Sequence, residues 1–326
     1  MNFKLYILPL VLVLFGCIKP DNGVSKSDSN EIIWEVLSLP KTDQFRFFKS
    51  GIWDGKRFIL LKASSSSLIF SRNGIEWSKL DIAADEAIDD IAFVNGVMFL
   101  KIGVWWSALD NTGKWKPLLE VETTKPIWNG QRYLFFSDST KYSSVDTKDW
   151  QQEETIGLPD IPYEIIFEDN MYIAHVEYQK NFISKDGIKW TPFHPDSRNI
   201  NITYFKGELY GSADNLPAVR VLQEGEWKTS FRPKIGPAPS DNGLTVIDNR
   251  LFAYGKHISW SNDGINWGSY VLPGFEDVEK IIAGGDKFIA IGTGNLLVVG
   301  ASNMDRDKLI RESKKFNNLD DIFVEN

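Results

Sequence analysis

The sequence of 326 residues contains a single cysteine, Cys17, and only three histidines, His175, His194 and His257. One cysteine excludes an internal disulfide framework, and a chain of this length can form a sizeable core without one. The histidines form neither an HxH nor an HxxxH pair, so the sequence predicts no metal site and no cofactor. The chain has 44 acidic and 36 basic residues and no basic stripe, so nucleic acid is not an expected partner.

Long hydrophobic runs are also missing. The apolar stretch over residues 5–15 follows one basic residue, Lys4, and is too short to span a bilayer. This pattern is typical of a signal peptide, which we place at residues 1–16. Residues 17–30 are rich in Ser, Asp, Asn, Lys and Gly, a composition that favours a flexible tether.

The segment Leu14-Phe15-Gly16-Cys17 resembles the lipobox of bacterial lipoproteins, with Phe15 where that family usually has a small residue. The resemblance implies that Cys17 becomes the mature N-terminus and carries a lipid that anchors the chain to a membrane of the bacterial cell envelope, facing the extracytoplasmic side. Several acyl chains, at ~0.8 kcal/mol per buried CH2, hold a protein stably on a bilayer. The alternative is an ordinary signal peptide cut nearby, with Cys17 left as a free thiol.

A repeated seven-residue segment marks the rest of the chain. Its clearest copies are SRNGIEW at 71–77, SKDGIKW at 184–190 and SNDGINW at 261–267, with looser copies at 107–115, 144–150 and 224–227. Each copy stands between two apolar runs, so it is interpreted as a turn between strands. The Asp or Asn side chain accepts backbone N–H groups within its own turn, and the Gly adopts a conformation that other residues avoid. We expect Asp186 and Asp263 to have this structural role.

The segments between these turns repeat with a period of about 40 residues. Each unit begins with a short apolar strand, a turn of the Asn-Gly or Asp-Gly kind, and a second strand rich in aromatic and β-branched residues. A third strand enters the Ser…Trp turn, and a fourth begins at the Trp. Seven such units without helical periodicity predict an all-β fold, a seven-bladed β-propeller of four-stranded antiparallel blades over residues 31–302.

The tryptophans predict how the ring closes. The last unit has three strands and no Trp turn, whereas the first segment, residues 32–37, is an extra strand that contains Trp34. If this N-terminal strand completes the last blade, each blade has one such Trp. The seven are Trp34, Trp77, Trp115, Trp150, Trp190, Trp227 and Trp267. Residues 303–326 form a polar C-terminal tail, in which we expect at most one short helix.

The Ser-x-Asp-Gly-x-x-Trp copies resemble the Asp-box (BNR) repeats of sialidase-like propellers, although they are one residue shorter between Asp and Gly. The resemblance covers residues 32–302 and implies that these turns lie on the rim of the ring. Ligands of propellers usually bind at the mouth of the central channel, on the face formed by the loops between blades and the loops between second and third strands. A sialidase also needs three arginines, a Tyr–Glu pair and an acidic Asp, and its first Arg lies in a Phe-Arg-Ile-Pro motif. Here Phe45-Arg46-Phe47-Phe48 stands at about that place.

The loops between blades contain the candidate ligand-binding residues Arg46, Arg198, Arg232 and Lys234. If the three arginines converge at the channel mouth, their guanidinium groups would hold a carboxylate or a sulfate in bidentate fashion. In contrast, Arg57, Arg132 and Arg250 share one position at the first hairpin turn, which faces away from that mouth.

A run of acidic residues is a further candidate in one of these loops. It consists of Asp85, Glu86, Asp89 and Asp90. Carboxylates are the hard oxygen ligands that Ca²⁺ prefers. Because no fixed ligand spacing is visible, we favour a solvated acidic loop over a calcium site.

The favoured function is non-catalytic. The sequence predicts a lipid-anchored propeller of the cell envelope that acts as a binding or scaffold module for a protein or a glycan. The alternatives are a sialidase-like glycoside hydrolase and a carbohydrate-binding surface protein. Sialidases have six blades, so seven Trp positions count against the hydrolase. Seven-bladed rings with similar turns occur in lipid-anchored assembly factors, which is an analogy of fold and location only.

Overall fold

The computed structural model describes residues 31–38, 48–63, 67–80, 87–110, 114–158, 161–176, 180–193, 200–213, 218–232, 243–273, 277–302 and 304–317. The predicted signal peptide, the tether and Cys17 lie outside these ranges. No helix in the described part of the chain is long and apolar enough to span a bilayer.

The described chain forms seven four-stranded antiparallel sheets. The first strand is β1 (Ile32–Ser38). Blade 1 contains β2 (Phe48–Trp53), β3 (Phe58–Lys62), β4 (Leu68–Ser71) and β5 (Ser78–Leu80). Blade 2 contains β6 (Ile88–Val94), β7 (Val97–Ile102), β8 (Trp105–Leu109) and β9 (Trp115–Pro117). Blade 3 contains β10 (Ile127–Trp128), β11 (Tyr133–Phe136), β12 (Thr140–Ser144) and β13 (Gln151–Glu154).

The remaining blades follow the same order. Blade 4 contains β14 (Glu164–Glu168), β15 (Met171–Val176), β16 (Lys180–Ser184) and β17 (Thr191–Phe193). Blade 5 contains β18 (Ile200–Phe205), β19 (Glu208–Ala213), β20 (Val219–Gln223) and β21 (Glu226–Phe231). Blade 6 contains β22 (Gly243–Ile247), β23 (Arg250–Tyr254), β24 (His257–Ser261) and β25 (Trp267–Val271). Blade 7 contains β26 (Val278–Gly284), β27 (Lys287–Gly292), β28 (Leu297–Ser302) and, as its fourth strand, β1.

The N-terminal strand closes the ring. Strand β1 pairs antiparallel with β28, and Trp34 lies opposite Gly300. The seven-bladed propeller with four-stranded antiparallel blades, predicted from the repeat, is therefore confirmed. Closure also gives the outer edge of the last blade a strand partner, which an open end would leave without backbone hydrogen bonds.

The inner hairpins show why the chain reverses where it does. In blade 2, Asn95 and Gly96 have φ angles of 45° and 82°, and in blade 4 Asp169 and Asn170 have φ angles of 48° and 59°. A two-residue hairpin of this hand needs two consecutive residues with positive φ, and Asn, Asp and Gly are the residues that accept it most easily.

The buried apolar side chains of the described residues form seven clusters, and each cluster joins two neighbouring blades. Each of the seven predicted tryptophans belongs to a different cluster, at the interface between its own blade and the preceding one. Trp190 of blade 4, for example, packs against Phe136 of blade 3 and Tyr172 of its own blade, with ring centroids 5.8 and 6.4 Å apart. The repeat of one Trp per blade therefore follows from one apolar interface per blade.

The helix α1 (Arg306–Ser313) follows the last strand. It begins after Asp305, whose side chain accepts a hydrogen bond from the backbone N–H of Asp307. Leu309 is fully buried in the cluster between blades 7 and 1, and Met304 and Phe316 pack against the same cluster. The described part of the tail is therefore docked on the ring.

Candidate functional site

A cavity of about 520 Å³ opens at the end of the channel where the inner strands begin. We call it the lysine cavity, and it is lined by Lys49, Ser50, Asp89, Asp90, Lys101, Gly103, Lys125 and Lys280. Most of these residues stand at or just before the start of an inner strand, and Lys101 and Gly103 stand at the turn between β7 and β8. The cavity is thus on the face that the sequence analysis designates for ligands.

The inner strands position the charged side chains of the cavity in pairs. Lys49 Nζ donates to Asp89 Oδ1 at 2.9 Å. Lys125 Nζ donates to the two carboxylate oxygens of Asp90 at 3.3 and 3.1 Å and also lies 5.9 Å from the centre of the Trp106 ring. The indole face attracts a cation, so it helps to hold this ammonium group in place.

Lys280 lines the cavity, is partly buried, and donates to Ser50 Oγ at 3.4 Å. Burial and the nearby charge of Lys125 lower the pKa of the Lys280 ammonium to about 7, although Asp90 and Glu164 act in the opposite direction. Burial alone would raise the pKa of the Asp90 carboxyl, but Lys125, Lys280 and Ser50 hold it below its ordinary value. Asp90 is therefore ionised at neutral pH, whereas Lys280 is only partly protonated.

The structure corrects the interpretation of the acidic run. Asp89 and Asp90 belong to the inner strand β6 and form ion pairs with lysines, so for these two residues the solvated acidic loop was wrong. Asp85 and Glu86 lie outside the described residues. Four lysines surround the two carboxylates, an environment that disfavours a calcium ion. Among the described residues, no group of three or more His, Cys, Asp or Glu side chains is placed to hold a metal.

Of the three arginines predicted to bind a ligand, the structure describes only Arg232. Arg232 follows β21 and is exposed. Arg46, Arg198 and Lys234 lie outside the described residues, so their convergence at the mouth stays a prediction. The lysines of the cavity were missed, because each stands alone in the sequence. An alignment of the first residues of the inner strands would have placed Lys49 and Lys280 at one end of the ring.

The arginines of the first hairpin turns are held locally. Arg57 Nε donates to Asp54 Oδ2 at 2.7 Å, and Arg250 Nε donates to Asn262 Oδ1 at 2.9 Å. A second cavity, of about 680 Å³, opens beside the turns of blades 1 and 2 and is lined in part by Arg57, Arg72 and Phe93. Lys56 and Asp54 also line it, so this cavity too has more cations than carboxylates, but it opens beside the hairpin turns and not at the channel mouth.

The Ser…Trp turns use their polar groups internally. Asp263 Oδ1 accepts from the backbone N–H groups of Ile265 and Asn266 at 2.8 and 2.7 Å, and from Ser261 Oγ at 3.0 Å. The corresponding bonds of Asp186 to Ile188, Lys189 and Ser184 are 2.8, 2.8 and 3.0 Å long. The backbone N–H group of Asn266, together with the other donors, holds the pKa of the Asp263 carboxyl well below its ordinary value.

These turns also touch the preceding blade. Lys141 Nζ of blade 3 donates to the backbone carbonyl of Asp186 at 3.2 Å, and Lys206 Nζ of blade 5 donates to the carbonyl of Asn262 at 2.6 Å. A Cβ at Gly264 would lie 2.0 Å from Tyr210 Oη, so only a glycine lets this turn approach so closely. These contacts show that the turns have a structural role, which is to join neighbouring blades.

The fold and the cavity define the class of the molecule as a seven-bladed propeller with a charged channel mouth. The sequence matches no model of a protein family and no curated protein. The structure is similar to a catalytically inactive virginiamycin B lyase from Staphylococcus aureus with quinupristin, with a TM-score of 0.61 and 11% identity over 83% of this chain and 99% of the other.

Two further structures show how widely this fold is used. PorZ, an essential surface component of the type-IX secretion system of Porphyromonas gingivalis, aligns with a TM-score of 0.58 and 13% identity over 84% of this chain and 39% of PorZ. The WD40 propeller domain of Doa1 aligns with a TM-score of 0.60 and 6% identity over 85% of this chain and 99% of that domain. Identities this low show a shared fold and carry no ligand across.

Proposed function

We propose that this chain is a non-catalytic binding or scaffold module, held on the bacterial cell envelope through a lipid on Cys17, for an envelope protein or a glycan. The observation that carries the binding role is the lysine cavity. Charged side chains from several blades meet there at the mouth of the ring. The likeness to PorZ, a surface component of a secretion system, is in keeping with a role in the envelope.

The partners of the cavity carboxylates favour binding over acid–base catalysis. Asp89 is paired with Lys49 and Asp90 with Lys125. The adjacent ammonium groups hold the pKa of Asp90 low, whereas a general acid needs a raised pKa to keep its proton at neutral pH. These carboxylates therefore orient lysines, and the lysines are the groups offered to a ligand.

The binding role is tested with the full chain immobilised and exposed to solubilised envelope proteins and to a glycan array. We expect a component that the wild type retains and that Lys101→Gln does not, since Lys101 lines the cavity without an ion pair among the described residues. The exposed rim variant Lys185→Gln is the matched control and should retain the component. Equal retention by all three proteins would contradict a binding role for the cavity.

The location is tested by Cys17→Ser in bacteria that process lipoproteins. We expect the variant to leave the membrane fraction or to remain unprocessed, whereas Ser25→Ala in the predicted tether should behave as the wild type. A Cys17→Ser protein that is processed normally and stays in the membrane fraction would show that the lipobox interpretation is wrong.

The sialidase-like alternative rests on Arg46, Arg198 and Arg232 meeting at the mouth. We expect no hydrolysis of a fluorogenic sialoside by the purified full chain. Turnover that is present in the wild type and disappears in Arg232→Ala would overturn the non-catalytic proposal. A carbohydrate-binding role without turnover would instead appear as a specific signal on the glycan array.

A further inference from the structure

We propose that the lysine cavity is a binding site for a small oxyanion group, namely a sulfate, phosphate or carboxylate, either free in solution or carried by a sugar. The inference rests on the proposed function as a binding module and names the chemistry of its ligand. It starts from the convergence of Lys49, Lys101, Lys125 and Lys280 on one cavity.

These lysines come from four consecutive blades around the ring, blades 7, 1, 2 and 3. Four lysines against two aspartates give the cavity an excess of two positive charges when all six groups are ionised. The whole chain has a net charge of −8, so the cavity is of opposite sign to the chain. A recessed cluster of one sign, with protein walls of low dielectric constant, attracts ions of the other sign.

The carboxylates leave part of this charge available. Asp89 and Asp90 each engage one lysine, Lys49 and Lys125. In the described part of the chain neither Lys101 nor Lys280 has a carboxylate within ion-pair distance, and Lys280 Nζ donates to the neutral hydroxyl of Ser50 at 3.4 Å and lies beside Lys125. An oxyanion between Lys101, Lys125 and Lys280 would supply the missing negative charge.

Contacts within the protein hold the donors of this site in place. Lys125 is held by Asp90 and by the face of Trp106, and it precedes the two-residue strand β10. Ser50, which is 3% exposed, contacts both Asp90 and Lys280 and so helps to fix their side chains. Fixed donors lose little conformational entropy when a ligand binds, and this favours affinity.

The lowered pKa of Lys280 also favours the binding of an anion. The groups that face it are Lys125, Asp90 of β6, Glu164 of β14 and Ser50 of β2. Burial and Lys125 lower its pKa to about 7, so part of its charge is absent at neutral pH. An anion placed beside it would favour the charged form and raise this pKa. Binding should therefore take up a proton, and affinity should fall as the pH rises through 7.

The size and the donors of the cavity indicate the ligand class. A volume of about 520 Å³ lies within the roughly 300–1,000 Å³ that is typical of small-molecule sites. This volume accommodates an oxyanion together with a sugar ring. Lysine ammonium groups act as compact point charges and bind oxyanions without the planar geometry that an arginine fork imposes.

The test is equilibrium dialysis of the full chain with radiolabelled sulfate at constant ionic strength. Sulfate keeps both charges between pH 6 and pH 8, so a change of affinity in this range reports on the protein. We expect one saturable site in the wild type, weakened roughly tenfold or more in Lys101→Gln and in Lys280→Gln. Lys185→Gln on the rim is the control and should bind as the wild type.

The pH dependence gives a second measurement. Wild-type affinity should fall between pH 6 and pH 8, and this fall should be absent in Lys280→Gln. Glucose 6-sulfate distinguishes the two sources, because a gain over sulfate indicates a sugar-borne group and an equal affinity indicates the free oxyanion. Lack of saturable sulfate binding by the wild type, or equal binding by all variants, would overturn the inference. If the chain nevertheless retains an envelope component, the binding function stands without an oxyanion site.

Discussion

Trp34 of β1 lies directly across the sheet from Gly300 of β28, and its indole ring occupies the space above the Gly300 Cα. A Cβ at position 300 would lie 2.7 Å from Cε3 of Trp34, closer than real carbon atoms approach. The large Trp34 side chain of the closing strand therefore fits because the residue opposite it, Gly300, has no side chain.

The first prediction concerns this pair. Gly300→Ala should lower the free energy of unfolding by about 1–3 kcal/mol, because the added methyl group displaces the Trp34 ring from its interface. Urea denaturation measures this loss. In a Trp34→Ala background the same substitution should cost less, since the ring is gone. Equal losses in both backgrounds would show that Trp34 and Gly300 are not coupled.

The second prediction concerns the turn of blade 6. Asp263→Ala should destabilise the fold by about 1 kcal/mol, because the N–H groups of Ile265 and Asn266 lose their acceptor. Asp263→Asn should lose less, since Asn73 Oδ1 accepts two equivalent N–H groups in blade 1 at 2.9 Å.

The two substitutions should also change how the stability of the fold depends on pH in the acidic range. The folded-state pKa of Asp263 is depressed, so its stabilisation is present above pH 4 and is lost as the pH falls below that value. Asp263→Asn should therefore flatten the loss of stability between pH 4 and pH 2, measured by thermal unfolding. An unchanged acid profile would contradict the contribution of this carboxylate.

The third prediction concerns Glu168, the last residue of β14. Its Oε2 accepts from Thr203 Oγ at 2.7 Å and from the N–H of Tyr204 at 3.1 Å, both in blade 5. Burial raises the pKa of its carboxyl from 4.5 to about 7, despite these hydrogen bonds. The folded state therefore binds more protons than the unfolded state between pH 4.5 and pH 7, and stability falls as the pH rises through this window.

Glu168→Gln should remove this dependence. With allowance for solvent screening of the half-buried carboxyl, we expect the wild type to lose about 1–2 kcal/mol between pH 4.5 and pH 7 relative to Glu168→Gln. Urea denaturation at several pH values measures the difference. Glu154→Gln, an exposed carboxylate of blade 3, is the control and should follow the wild type. Parallel profiles for Glu168→Gln and the wild type would contradict the raised pKa.

The fourth prediction concerns the C-terminal helix. Leu309→Ala should lower the free energy of unfolding by about 2–5 kcal/mol, because Leu309 is fully buried between blades 7 and 1. The neighbouring Lys308 is exposed, and Lys308→Ala should change stability by less than about 0.5 kcal/mol.

Two other contacts fix the same segment. Lys287 Nζ is 3.0 Å from Glu312 Oε2, and the Asn317 side chain bonds both the N–H and the carbonyl of Trp77 at 2.9 and 2.8 Å. Removal of residues 304–326 should therefore destabilise the ring at least as much as Leu309→Ala. A truncated chain as stable as the wild type would show that the helix is an appendage.

The sequence by itself determined the architecture, because the signals for it are local. Positive-φ residues such as Asn95 and Gly96 set a hairpin, and the Asp263 side chain closes a turn within a few residues of itself. The missing Trp of the last unit predicted that Trp34 completes blade 7, since every interface between blades needs one large apolar side chain.

Only the tertiary structure decided what lies at the channel mouth. Lys280 and Ser50 are 230 residues apart and meet because the ring closes. Asp90, which the sequence assigned to an acidic loop, faces Lys125 because Asp90 lies near the start of β6 and Lys125 lies just before β10, the inner strands of neighbouring blades. Electrostatic energy depends on distance through space, which the spacing of charges along the chain does not encode. The repeat in the sequence therefore predicts the blades, whereas the grouping of charges in the cavity depends on closure of the ring.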